Sequence, residues 1–184
     1  MAQREGRAKN GIDHTEPAII KMLTMARKAS ERDMVFGDAI AELKLVPVSI
    51  SYEYDPCDVQ KAQELHDIDT QGSYAKGEFE DIRSIVAGIT GSKGRVRLHF
   101  GTPVGADMAT PDEVAAEIDR QVIGGYRLFP SHYLALEALG EAPELVARKA
   151  ITKQDRERFN ARLADVPEAL RPYWLAQYAN PVKH

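Results

Sequence analysis

The chain has 184 residues, of which 43% are hydrophobic and 28% are charged, and its formal net charge is -4. This composition is typical of globular proteins and argues against an intrinsically disordered chain, while the negative charge argues against a general nucleic-acid binder. The single cysteine, Cys57, excludes an internal disulfide and a zinc site built from several cysteines. The chain has no run of about 18 apolar residues, so the sequence predicts no transmembrane helix.

A basic loop near the N-terminus comprises Arg4, Glu5, Gly6, Arg7 and Lys9. Glycine lets the main chain approach an anion closely, and the planar fork of arginine matches two phosphate oxygens. Taken alone, the run is more typical of a solvated chain end, because short basic runs are common. The sequence blocks downstream shift the balance toward a phosphate-binding loop. Because such a loop normally follows a strand, we expect a strand upstream of it.

Two helical patterns follow the loop. Thr15 is a candidate N-cap for the first helix. Its apolar residues recur at helical spacing and predict one buried face, which consists of Ile19, Met22, Leu23 and Ala26. A second helix is predicted over about residues 34–43, with Gly37 as its weak point.

The next predicted element is a strand over residues 45–52, which are rich in β-branched side chains. Val46, Pro47 and Val48 lie at its beginning. Because proline has no amide hydrogen, Pro47 is expected at a sheet edge, at a bulge or in the first residues of the strand.

The central region predicts two further helices and a second strand. Asp58 is a candidate cap for a helix that ends near residue 68, and another helix covers about residues 78–89. That second helix has one apolar face, made of Phe79, Ile82, Val86 and Ile89. Residues 95–100 then alternate strictly, which predicts Val96, Leu98 and Phe100 facing inward and Arg95, Arg97 and His99 facing outward.

The C-terminal third is predicted to be helical throughout. Thr110 and Glu113 form a capping box with Pro111 at the first helical position, so a helix should begin there and end near residue 123. The aromatic residues Tyr173, Trp174 and Tyr178 are expected to pack in the core rather than to anchor the chain to a membrane.

Together these elements predict an α/β fold, in which a partial mixed sheet is flanked by helices and followed by an all-helical C-terminal extension. We expect one domain at residues 1–125 and the extension at residues 126–184. The acidic cluster of Glu64, His66, Asp67 and Asp69 does not share one helical face, so it favours a solvated helix end over a metal site.

Several of these blocks, taken in order, resemble the second half of the glycerolipid acyltransferase family. They are Glu5-Gly6 in the basic loop, a strand that begins Val46-Pro47-Val48, and Gly101 with Pro103 after a later strand. The resemblance covers roughly residues 2–122, and the tail after Pro130 resembles a bacterial subgroup of the family.

The resemblance implies an acyl transfer from acyl-CoA or acyl carrier protein to glycerol-3-phosphate or lysophosphatidic acid. It implies that Glu5 and Gly6, with Arg7 or Lys9 as the cation, bind the acceptor phosphate; Arg4 stands where the family has proline. It implies no cofactor and a cytoplasmic location that allows peripheral contact with the inner face of the membrane.

One departure from the family concerns its catalytic motif, His-x-x-x-x-Asp, which precedes the phosphate loop. None of the five histidines of this chain has an aspartate five positions further on. Because acyl transfer to an alcohol needs a positioned general base, we expect no catalytic residue here and no activity from the isolated chain. We further expect either self-association or a missing N-terminal half as partner. The alternative is a non-catalytic module that binds a phosphorylated ligand or a partner chain.

Overall fold

The computed structural model describes residues 8–28, 33–141, 144 and 150–184. The helices are α1 (Pro17–Lys28), α2 (Phe36–Leu43), α3 (Asp58–Gln71), α4 (Glu80–Thr90), α5 (Pro111–Gly125), α6 (Pro130–Leu139), α7 (Lys153–Asp165) and α8 (Arg171–Lys183), with a 3-10 helix at Glu168–Leu170. The strands are β1 (Val48–Tyr52) and β2 (Val96–Phe100). Within the described ranges, no helix is long and apolar enough to cross a membrane.

The fold is mostly helical, with a small antiparallel sheet of two strands and a helical C-terminal end. This confirms the predicted α/β class at a coarse level. The larger mixed sheet that the sequence predicted is not present among the described residues. Its two predicted strands are present, and Pro47 directly precedes β1, as its missing amide hydrogen requires.

The chain divides into two compact units. The first contains Asp13–Ile50 and Arg97–Arg127, and the second contains Lys9–Ile12, Ser51–Val96 and Leu128–His184. The division therefore passes through both strands of the sheet. The predicted domains, residues 1–125 and 126–184, stay a prediction.

Two backbone hydrogen bonds set the register of the sheet. Gly101 N donates to Pro47 O at 2.8 Å, and Glu53 N donates to Arg95 O at 2.9 Å. In an antiparallel pair this register places Ile50 opposite Leu98.

The inward orientation that the sequence predicted for the apolar residues of β2 is wrong, whereas Arg95 and Arg97 are exposed, as predicted. Val96, Leu98 and Phe100 are 48%, 56% and 68% exposed instead of facing inward. The buried face of the sheet is the polar one, because Ser49, Ser51 and Glu53 are the buried side chains of the paired strand and its continuation. A period of two shows that one face differs from the other, but it does not show which of them is covered.

In the first unit, the end of α5 packs against this polar face. A Cβ atom added at Gly125 would lie 2.5 Å from Ser49 Oγ and would also collide with the His99 ring. Glycine is therefore the residue that allows this close approach. The Ser49 hydroxyl is buried and has no hydrogen-bond partner among the described groups.

The core of the first unit consists of Ile20, Ile40, Val104 and Val114. The face of α1 that the sequence predicted to be buried differs from the face that the structure buries. Ile20 and Thr24 are buried, whereas Met22 is exposed. Gly37, predicted as a weak point of α2, is buried where a Cβ atom would collide with the Ala106 carbonyl.

The core of the second unit is aromatic and lies between helices. Trp174 and Tyr178 are buried, which confirms their predicted core position, and their ring centroids are 4.8 Å apart. Phe159 of α7 contacts Trp174 with ring centroids 5.5 Å apart. The α6 residues Leu134 and Leu136 belong to the same cluster.

The buried carboxylate of Asp58 is hydrogen-bonded to Tyr178 of this aromatic core. Asp58 Oδ2 accepts hydrogen bonds from the Tyr178 hydroxyl at 2.6 Å and from Arg162 at 2.9 Å. Asp58 was predicted as the cap of α3, but it is the first residue of the helix and Cys57 is the cap. Burial, together with the neighbouring Asp58 charge, raises the pKa of Tyr178 well above its ordinary value. The tyrosine therefore stays a hydrogen-bond donor.

A second buried carboxylate belongs to Glu53. Its Oε1 accepts a hydrogen bond from Arg95 Nη2 at 2.8 Å, and its Oε2 accepts one from Arg95 Nε at 3.0 Å. Arg158 Nη1 lies 3.7 Å from Oε1. Burial alone would raise the pKa of Glu53, but the hydrogen bonds and charge of Arg95 outweigh burial and lower it. Arg95 also reaches Asp155 of α7 at 3.1 Å.

His132 of α6 is buried in the neutral form. Its Nδ1 accepts a hydrogen bond from the Phe129 backbone N–H at 3.1 Å, which requires an unprotonated Nδ1. Burial lowers the pKa of His132 from 6.5 to about 4.

We predict that Tyr178→Phe lowers the free energy of unfolding by about 1–3 kcal/mol. The substitution removes the donor to Asp58 and the acceptor of the Asp55 N–H, which is 3.0 Å from the hydroxyl. Tyr173→Phe on the same helix loses only an exposed hydrogen bond to Asp69 and should cost within about 0.5 kcal/mol. Urea denaturation measures both values, and equal costs would contradict the role of the buried pair.

We predict that His132 makes the protein less stable as the pH falls. Between its ordinary pKa of 6.5 and its folded pKa of about 4, only the unfolded state binds the proton, so stability is full above 6.5 and declines below it. The whole loss amounts to about 3 kcal/mol.

The measurement compares the pH dependence of urea unfolding between about pH 7 and pH 5 for the parent, His132→Asn and the exposed control His184→Asn. This pH window lies above 4.5, the ordinary pKa of Glu53. Because the pKa of Glu53 is lowered in the folded protein, its contribution to the free energy of unfolding declines only in more acidic solution. The His132 variant should show a flatter slope than the other two proteins. The same slope in all three would refute the assignment.

Candidate functional site

Of the residues predicted to bind phosphate, Arg4, Glu5, Gly6 and Arg7 lie outside the described residues. Lys9 is described, and its ammonium group forms an ion pair with Glu64. A phosphate that bound Lys9 would have to replace this carboxylate. The choice between Arg7 and Lys9 as the phosphate-binding cation therefore stays open.

The block Val46-Pro47-Val48 lines a cavity of about 300 Å³ in the first unit. The rest of the lining is mostly aliphatic and comes from α1, the segment before β1, and α5; it consists of Thr15, Ile19, Ile20, Lys44, Leu45, Ile118 and Val122. A volume of this size is at the small end of ligand sites in proteins.

Two sequence blocks that are far apart in the chain meet at this cavity. Gly101 N donates to Pro47 O, and Val104 N donates to Leu45 O at 2.9 Å. A Cβ atom at position 101 would lie 3.2 Å from Pro47 O and would collide with the Gln121 side chain. Gly101 therefore lets the two segments lie side by side.

Lys44 is the only ionisable residue among the lining residues that the structure describes. It follows the last residue of α2 and adopts the left-handed conformation, with φ 49° and ψ 48°. This conformation costs about 1–2 kcal/mol in residues other than glycine. A strained lysine beside an apolar cavity is the kind of exception that is found at functional sites.

Asp119 of α5 holds one wall of the cavity in place. Its Oδ1 accepts from Thr15 N at 2.9 Å and from Thr15 Oγ1 at 2.6 Å, while its Oδ2 lies 3.2 Å from His14 Nδ1. Thr15 is buried and lines the cavity. The carboxylate therefore fixes the beginning of α1 against α5.

Sequence reasoning missed this His14–Asp119 pair. Five positions after His14 the sequence has Ile19, whereas the carboxylate that His14 contacts, that of Asp119, lies on α5. No local signal connects two residues so far apart in the chain; only the packing of α1 against α5 brings them together.

Side chains of the acidic cluster on α3 are paired with other groups of the chain. His66 Nδ1 lies 3.0 Å from Asp67 Oδ1, and Asp69 accepts from the Tyr173 hydroxyl at 2.5 Å. Over the part of the chain that the structure describes, no group of three or more His, Cys, Asp or Glu residues is placed to hold a metal ion.

Comparisons of this chain with protein-family models, with curated proteins and with solved structures found no match. A function is therefore inferred from the residues of the chain itself. An aliphatic cavity with a lysine among its lining residues suits a ligand with an apolar part and an anionic part.

We predict that Thr15→Val lowers the free energy of unfolding by about 1–3 kcal/mol, because it leaves Asp119 without the hydroxyl donor while nearly preserving the side-chain shape. Thr102→Val is the control, because the exposed Thr102 hydroxyl lies 3.4 Å from its acceptor, Gln121. Thermal or urea unfolding compares the two variants. A Thr15→Val protein as stable as the control would contradict the anchoring role of Asp119.

Proposed function

We propose that this chain carries the acceptor-binding part of a glycerolipid acyltransferase and does not transfer acyl groups by itself. The acceptor is lysophosphatidic acid or glycerol-3-phosphate, and the donor is acyl-CoA or acyl carrier protein. The protein acts in the cytoplasm at the inner face of the membrane. The observation that carries the proposal is the aliphatic cavity lined by Val46, Pro47 and Val48, with Lys44 as the only ionisable residue among its described lining residues.

The cavity favours lysophosphatidic acid over glycerol-3-phosphate. At roughly 30 Å³ per small group, a volume of about 300 Å³ holds on the order of ten heavy atoms of an acyl chain. Aliphatic side chains such as Ile19, Ile118 and Val122 gain free energy by covering such a chain, but they gain nothing from a bare phosphate. Lys44 can attract the phosphate as a point charge.

The proposed lack of transfer activity follows from the chemistry of the reaction. The acceptor hydroxyl must lose its proton to a base within hydrogen-bond reach as it attacks the thioester. No histidine of this chain has an aspartate at the spacing of the family motif. Acyl transfer by the purified chain would contradict the proposal, and its loss in His14→Asn would then identify the proton acceptor.

The alternative is a binding or interaction module without a catalytic role. The apolar surface formed by α4 and the preceding Phe79 favours it, because its five large side chains are more than half exposed. The two functions differ in ligand preference. A phosphate-binding module should bind inorganic phosphate and lysophosphatidic acid equally well, whereas the acceptor site should bind more tightly as the acyl chain lengthens.

We predict that the purified chain binds short-chain lysophosphatidic acid and that Val46→Trp weakens binding about tenfold or more by filling the cavity. Ile50→Trp is the matched control, because Ile50 is 43% exposed against 42% for Val46 and does not line the cavity.

Lys44→Asn should weaken binding of short-chain lysophosphatidic acid about tenfold, since a close charge contact contributes roughly 1.4 kcal/mol or more. Asparagine tolerates the left-handed conformation, so this variant keeps the backbone.

Isothermal titration calorimetry below the critical micelle concentration measures these affinities, with monoacylglycerol as the uncharged ligand. Lys44→Asn should not change the affinity for monoacylglycerol. If Val46→Trp and Ile50→Trp bind equally, or if acyl-chain length has no effect, the cavity is not the acceptor site.

A further inference from the structure

Helix α4 in the second unit has an apolar face that no described part of the chain covers. The large side chains of this face are between 51% and 74% exposed. Four belong to the helix and one to the residue before it, and they are Phe79, Ile82, Ile85, Val86 and Ile89. No residue of α4 is buried. Four of the five follow a spacing of three, four and three residues, which is the spacing of a helix-pairing seam.

The opposite side of α4 is attached to its own unit. Cys57 Sγ donates to the Ser84 carbonyl at 3.4 Å, and Glu80 accepts from the Tyr74 hydroxyl at 2.7 Å. An isolated helix of fewer than about 12 residues is only marginally stable in water, and α4 has 11. Phe79, just before the helix, is also held at a positive φ of 62°, with its ring in solvent. A helix with these features gains stability when its apolar face is covered.

The charges at the two ends of α4 indicate what covers it. Glu78, Glu80 and Asp81 make its beginning acidic, whereas Lys93 lies at its end and donates to the Gly91 carbonyl at 3.1 Å. Glu80 and Asp81 already have partners in the chain, Tyr74 and Lys76. The exposed Glu78 is left for a cation at the far end of another α4.

We propose that the chain forms a two-fold symmetric dimer in which α4 packs antiparallel against α4 of a second copy. Centring the pair between Ile85 and Val86 places Ile82 against Ile89 of the other copy and brings Glu78 near Lys93 of the other copy. Antiparallel packing also aligns the two helix dipoles favourably, whereas a parallel pair would bring like charges together.

The size of the face suits a weak dimer. Five side chains exposed to this extent form a patch on the order of 500 Å², the size at which exposed apolar patches are functional. Two copies then bury about 1,000 Å², the lower limit for a specific interface. A lipid surface fits less well, because helices that lie on bilayers carry polar faces rich in Lys and Arg.

Sedimentation velocity over a wide concentration series tests the dimer on the full chain. We expect a reversible monomer–dimer equilibrium with a dissociation constant in the micromolar range, and Val86→Arg should raise that constant about tenfold or more. Val96→Arg is the control, because Val96 belongs to the same unit and is 48% exposed against 51% for Val86. Circular dichroism confirms that each variant is folded.

A charge exchange tests the antiparallel geometry. Lys93→Glu should weaken the dimer, and the double variant Glu78→Lys with Lys93→Glu should restore it. A monomer at all concentrations, a dimer that survives Val86→Arg, a dimer lost in Val96→Arg, or no rescue in the double variant would each overturn the proposal. So would a monomer that binds phosphatidylcholine vesicles through α4.

Discussion

The buried carboxylate of Glu53 lies directly after β1, where the two chain segments are still paired. An ionised carboxylate is stable away from water only if it is paired and hydrogen-bonded. Arg95 meets this need with its backbone N–H and two guanidinium nitrogens. A shift of one residue would turn every side chain of β2 to the other face and would break these contacts. The apolar residues Val96, Leu98 and Phe100 are exposed.

Local signals in the sequence predicted much of the fold. The capping box at Thr110, the proline before β1 and the helical tail each depend on neighbours within a few residues, and the structure contains all three. The signals failed where the outcome depends on distant residues. Alternation in β2 could not reveal that a glutamate is buried directly after its partner strand. The apolar spacing of α1 likewise could not reveal that the buried face centres on Ile20.

The candidate site shows the same division. Val46-Pro47-Val48 was singled out from the sequence, and it lines the cavity. Lys44 and Asp119 were not, because the role of Lys44 comes from its position at the end of α2 and that of Asp119 from packing between α1 and α5. Arg4, Glu5, Gly6 and Arg7 stay a prediction.

The left-handed backbone conformation of Lys44 lowers the stability of the folded chain. A glycine there would adopt the same left-handed geometry without its steric cost, so a search for stabilising mutations should choose glycine at this position. That substitution would also remove the one ionisable side chain among the described lining residues of the cavity. The lysine therefore combines a conformation that lowers stability with a position at an aliphatic cavity. Consensus or stability-guided redesign of this chain should therefore leave position 44 unchanged.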